Sequence, residues 1–293
     1  MRFVAILLLA FASLTSDGLA EAQKNAAEQS AARAQVAVNA PLPSPTELLQ
    51  RALDNQKKLA AERERYECRV TDQVVQTDKN GNIKKNETEV DDEFFVNGIP
   101  IDRTLQKNGK DLSPDEVKKQ DERVMKETLK YSNATTAQKE TNKQDQEVED
   151  ILGAMMLTNG RRTFVNGRSV LDYDIVPNPH FQAKNIDQRF ATVMQGAVSL
   201  DEESGVIINF NVRSVADLKI GGGLVADLHK GFWIHIHNHA EPDGVWITDL
   251  AEGSGDARAA LFFHPYFRFK ETTGDCNLYT ATAAQAGPVK PVK

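Results

Sequence analysis

Apolar residues change their spacing several times along this chain, and each change predicts a different element. Phe3 to Ala12 form an unbroken apolar run between Met1-Arg2 and Gly18-Leu19-Ala20, a small-x-small cleavage pattern. A run of ten cannot cross ~30 Å of hydrocarbon as a helix, so residues 1–20 read as a secretory signal peptide rather than an anchor. Residues 21–43, rich in Ala, Gln and Asn and closing on Pro41-Leu42-Pro43, read as a flexible linker. Ser44-Pro45-Thr46-Glu47 is a capping box with proline at the first helical position. Leu48, Leu49, Ala52, Leu53 and Leu59 then mark one face of a helix running to about Arg65.

Asn-Gly pairs at 80–81, 97–98, 108–109, 159–160 and 166–167 suit type I′ turns, so the runs beside them predict antiparallel strands. The first such runs are Tyr66–Thr77, Ile83–Val96 and Ile99–Gln106, the second of them polar enough to be exposed on at least one face. Ser113-Pro114-Asp115-Glu116 starts a helix to about Tyr131 with a thin stripe of Val117, Val124, Met125 and Leu129, which predicts a largely solvated helix. Residues 132–144 are polar and aperiodic and predict a loop. Val148, Ile151, Leu152, Met155 and Met156 form an amphipathic stripe that predicts a helix over about 145–157. From 160 onward almost everything reads as strand, with turns at 201–205, 221–223, 241–244 and 253–256 in the spacing of a meander.

Composition narrows the function classes. Lys+Arg total 35 against 42 Asp+Glu, a net charge of −7, and no basic stripe is present, which argues against nucleic acid as a partner. The hydrophobic fraction of 40% fits a globular domain with solvated segments, and no later run predicts a transmembrane anchor in the mature chain. Two cysteines exclude a disulfide-dense scaffold or a four-cysteine zinc site. In an oxidising compartment Cys68, in the first predicted strand, and Cys276, in the last, are candidates for a bond tying the sheet's ends together; two free thiols are the alternative. The chain has no G-x-S-x-G elbow, P-loop or H-E-x-x-H, and no carboxylate pair is distinguished by an apolar setting. The expectation is a protein that is not an enzyme and needs no cofactor. Asn86-Glu87-Thr88 and Asn133-Ala134-Thr135 fit the glycosylation sequon and are read as incidental.

A run from Gly196 to Asp201, a turn, then Gly205-Val-Ile-Ile-Asn-Phe-Asn, followed by Asp243-Gly-Val-Trp246-Ile, Arg268-Phe-Lys and a final strand at Tyr279, resembles a known family. The pattern is similar to the LolA/LolB-like outer-membrane lipoprotein-sorting proteins, the bacterial lipoprotein carriers. It covers mainly 160–282 and, more weakly, 45–77, and leaves 78–159 as more than such a carrier requires. The resemblance implies a mainly β, α+β fold: a curved antiparallel β half-barrel covered by a few helices. It implies one domain over 44–282 with an insertion at about 78–159, ahead of a disordered tail at 283–293. It also implies a periplasmic carrier of lipid or lipoprotein acyl chains, with envelope membrane proteins as further partners.

The residues themselves point the same way by the faces they share. Ile208, Phe210 and Val212 alternate with polar residues; Phe232, Ile234 and Ile236 do likewise; so do Phe263, Phe267 and Phe269, opposite His264, Tyr266 and Arg268. A sheet face of this kind must be covered by helices or filled by a ligand. Acyl chains suit it because they bind by buried area, at ~0.8 kcal/mol per CH₂. Ile208, Phe210, Val212, Ile234, Ile236, Phe263 and Phe267 are therefore the candidate cavity residues, with Met155 and Met156 as a flexible cover. A core filled by helices explains the same pattern and makes the protein a non-catalytic envelope scaffold. His235, His237 and His239 alternate on one predicted strand and are the candidate metal ligands of a third reading, a metal-binding envelope protein. Side chains at i and i+4 of a strand lie ~13 Å apart, so the outer two share an ion only across a bend.

Overall fold

A computed structural model describes residues 40–165, 167–220, 226–259 and 266–278. The predicted signal peptide, most of the linker and the C-terminal tail lie outside them, as do Phe263 and His264. The contacts divide the chain after Leu42, and the fold is that of the unit from Pro43 on.

The unit is mostly β, with one large antiparallel sheet and a few helices. Helix α1 (Pro45–Arg63) begins at the predicted box, where Ser44 N–H donates to Glu47 Oε2 at 2.7 Å and Glu47 N–H to Ser44 Oγ at 3.2 Å. Leu48 of its stripe is buried; the side chains of Leu49, Ala52, Leu53 and Leu59 lie outside the described set. The helix is followed by β1 (Tyr66–Thr77), β2 (Ile83–Val96), β3 (Ile99–Lys107) and the short β4 (Lys110–Asp111). Asn97-Gly98 and Asn108-Gly109 both take positive φ at each position, as type I′ hairpin turns require.

Helix α2 (Pro114–Tyr131) has the full capping box at Ser113 and no buried residue, in line with its thin stripe. Arg103 Nη2 of β3 donates to Asp121 Oδ1 at 2.7 Å, tying the helix to the sheet. The stretch predicted as a loop is helical instead: α3 runs Ala134–Gly153. Asn133 caps it by accepting from Thr136 N–H at 3.0 Å. Gln138–Asn142 and Lys143–Glu147 contacts at i, i+4 support an exposed surface that carries no apolar period. Gly153 ends the helix, so Met155 and Met156 belong not to it but to strand β5 (Met155–Val165).

The remaining elements are β6 (Arg168–Pro177), the short helix α4 (Ile186–Ala191), β7 (Met194–Asp201), β8 (Ile207–Ser214), β9 (Leu218–Ile220), β10 (Ala226–Leu228), β11 (Trp233–Ala240), β12 (Trp246–Ala259) and β13 (Tyr266–Leu278). Asn159-Gly160 is not a hairpin. It falls inside β5 as a bulge, where the ladder to β6 slips between Thr158 and Arg161.

Strand order is β4-β3-β2-β1-β13-β12-β11-β8-β7-β6-β5, with β10 on β12 and β9 on β10. The first and last long strands are therefore neighbours in the middle of the sheet. The Cys68–Cys276 disulfide joins these two strands, not the sheet's ends as predicted. It sits where the β1–β13 ladder slips between Glu67 and Arg69, against Tyr66, Val245 and Ile247. Residues 78–159 supply β2, β3 and β4 to the same sheet, along with α2 and α3.

The sheet is open, with β4 and β5 as its terminal strands, and helix α3 touches both β3 and β5.

Candidate apolar and acidic sheet face

The registers place Phe210, Val212, Ile234, Ile236 and Phe267 of the predicted cavity residues on one face. Tyr173 (β6), Val198 (β7), Phe210 (β8), Ile236 (β11), Ala251 (β12), Glu271 (β13), Asp72 (β1) and Glu89 (β2) follow one another across paired positions. One step along the same face, Val212, Ile234, Gly253, Phe269 and Val74 form a second row. Phe267 lies beyond it, opposite Gly255. The face is thus apolar from β6 to β13 and acidic from β13 to β2.

Burial divides the apolar half. Val198 and Val212 are buried, while Phe210, Ile234, Ile236, Phe267 and Phe269 are each half-buried. Ile208, also half-buried, is the extra residue of a bulge opposite β7. The floor between these side chains is bare backbone. A Cβ at Gly253 would lie 2.5 Å from the Phe269 ring, and one at Gly255 would lie 2.5 Å from the Phe232 ring. Glycine at both positions lets the two rings lie flat on the sheet. Phe190 of α4 closes this end, edge-on to Phe232 at 5.4 Å, and Phe232 meets Phe267 at 5.7 Å.

The two methionines do not act together. Met155 shares the face of Leu157 and Ile175, whereas Met156 points to the opposite face and is 38% exposed. A methionine pair over the apolar face is therefore excluded, because successive strand residues alternate.

Sequence reasoning missed the acidic half. Asp72 is the one charged member of the series Cys68, Val70, Asp72, Val74, the inward phase of β1, and that position was the available signal. Burial raises the Asp72 carboxyl to about 6, aided by Glu271 and Asp91. Glu93 is pushed up to about 7 by burial, with Asp102 and Glu271 adding to it and Arg63 opposing. Asp91, Asp102 and Glu271 are also raised, burial being the first cause in each. Glu93 thus keeps part of its proton at neutrality and Asp72 in mildly acidic solution, so the face carries less charge there than its composition suggests.

A cavity of about 310 Å³ opens on this half, between α3 and the sheet. Arg63, Tyr66, Glu93, Phe95, Ile247 and Glu271 line it, with Thr141, Gln144 and Asp145 of α3 above. The predicted acyl-chain residues do not line it; Val212 instead lines a more open depression of about 520 Å³ beside Gly196 and Asn211. Arg63 Nε donates to the Trp246 carbonyl at 3.1 Å, and burial lowers its guanidinium from the ordinary value. Burial, with Asp243 beside it, pushes the Tyr66 phenol up to about 12.

His237 and His239 both approach Asp249, at 2.5 and 3.5 Å, and His235 does not join them. The β11–β12 ladder slips between His237 and Asn238, which leaves Asp249 as the extra residue between His237 and His239. His237 Nδ1 lies 2.5 Å from Asp249 Oδ1, His239 Nε2 lies 3.1 Å from Glu241 Oε1, and His235 Nδ1 lies 3.5 Å from Glu252 Oε1. Each imidazole is thus directed to a carboxylate, and no group of three metal-capable side chains occurs among the described residues. No helix among the described residues is long and apolar enough to cross a membrane. No known protein-family model matches the chain, and no curated protein matches it significantly.

Proposed function

We propose that this protein is a carrier that binds acyl chains on the apolar half of its sheet face and performs no covalent chemistry. The observation that carries the reading is the set Phe210, Ile234, Ile236, Phe267 and Phe269, half-buried on one face of β8, β11 and β13, with the glycines of β12 between them. Side chains of this size left partly open in the middle of a sheet match a ligand that binds by area. The neighbouring carboxyl groups suit it too, since Glu93 and Asp72 stay largely protonated in mildly acidic solution and resist an apolar neighbour least in that form.

The open antiparallel order and helix α3, which touches both β3 and β5, support a curved half-barrel of the lipoprotein-carrier kind, and the apolar run at Phe3–Ala12 supports export to a periplasm. Cargo in this reading is a lipid or the acyl part of a lipoprotein.

Binding of a fluorescent fatty acid tests the proposal. Phe210→Asp and Ile236→Asp each place a charge on the face and reduce affinity at least tenfold, while His235→Ala, on the opposite face, leaves it unchanged. Equal affinity in all four proteins would refute the reading.

A further inference from the structure

We propose that β5 is a self-complementary edge at which two copies of this chain join their sheets. Among the described residues β5 is the last strand in the order, paired on one side with β6. Free strand edges of this length are ordinarily blunted by charge or proline, because their unpaired backbone groups recruit another strand. This edge has no proline, and three of its large apolar side chains are exposed: Met156 at 38%, Phe164 at 37% and Val165 at 53%.

Their placement supports a second copy. An antiparallel pair of β5 strands centred on Arg161, with the bulged Asn159-Gly160 taking one position, sets Met156 opposite Val165, Leu157 opposite Phe164 and Thr158 opposite Thr163. In a regular strand each such pair would sit on opposite faces, and the match would fail. The extra residue between Thr158 and Arg161 corrects this. Met156 and Val165 pair with Val176 and Arg168 on β6, and Leu157 and Phe164 pair with Ile175 and Ser169, so each couple shares a face. The bulge thus brings the two halves of the strand into register with each other.

Charge at the centre is compensated within each chain. The two-fold axis passes Arg161, which meets Arg161 of the other copy with its own Asp172 3.4 Å away, while Arg162 meets Glu202 at 2.6 Å. The interface is isologous, and it closes as a dimer.

Light scattering on the protein purified from cells expressing it measures the mass directly, with the parent expected at twice the mass of one chain. Met156→Lys and Val165→Glu, each made alone at an exposed site, are expected to weaken the dimer at least tenfold in Kd. An equimolar mixture of the two variants is expected to recover it, because the new lysine then faces the new glutamate. That recovery also shows that both variants are folded. A monomeric parent at tens of micromolar overturns the proposal. A dimer that neither substitution affects overturns it too.

Discussion

Asp72 of β1 and Glu271 of β13 stand directly opposite each other on the same sheet face, at the boundary between its apolar and acidic halves. Like charges in directly opposed positions destabilise a sheet, so one of the two holds a proton over part of the ordinary pH range. Asp72 rises to about 6, burial first and Glu271 second. Its folded-state value lies above the unfolded one. Stability is therefore fully present below about pH 4 and is lost as pH rises through 6. Asp72→Asn removes that loss. Urea unfolding at pH 8 should show the variant more stable by ~1 kcal/mol, a figure already discounted for solvent screening, with little difference at pH 4.

Glu93 extends the argument to binding. With its carboxyl at about 7, the acidic half gains charge between pH 6 and pH 8. Fatty-acid affinity should fall severalfold over that interval in the parent and stay level in Glu93→Gln. A parent whose affinity is flat across it would separate the carboxyl from the binding face.

The bare floor at β12 makes a steric prediction. A methyl group at Gly253 would lie 2.5 Å from the Phe269 ring and 2.6 Å from the Trp233 carbonyl oxygen, and the backbone contact is not relieved by turning the ring. Gly253→Ala should lower stability by ~1–3 kcal/mol, as overpacking does, and thermal unfolding measures it. Gly274, which has nothing within 4 Å of its Cβ position, provides the control.

The Cys68–Cys276 bond closes a loop of 208 residues between adjacent strands. The chain-entropy account assigns such a loop roughly 5 kcal/mol. Reduction, or Cys68→Ala with Cys276→Ala, should lower the urea midpoint accordingly, and an unchanged midpoint would show that the β1–β13 ladder holds without it.

Much of the fold is legible locally. The boxes at Ser44 and Ser113 and the turns at Asn97-Gly98 and Asn108-Gly109 locate α1, α2 and the first strands because each depends on neighbours in sequence. The N-terminal half of α3 is not legible, since an exposed helix has no apolar period, only a cap at Asn133 and polar i, i+4 pairs. Met155 and Met156 continue the helical phase of Val148 and Ile151 by coincidence of spacing, and Gly153 was the stop signal. Asn159-Gly160 has hairpin chemistry, but its flanks pair with β6 and not with each other. Alternation was enough to put Phe210, Ile234, Ile236 and Phe267 on inward phases. Strand order was beyond local reading, because β1 beside β13 is a pairing across nearly the whole chain. That order alone sets Asp72 against Glu271 and turns an apolar face into one with two characters.

The acyl-carrier account is tested most directly by native mass spectrometry of the protein isolated from the cells that make it, beside Ile236→Asp prepared in the same way. It predicts a heterogeneous set of lipid-sized adducts on the parent, lost on denaturation and missing from the variant. A bare parent mass, or the same adducts on both proteins, would contradict it.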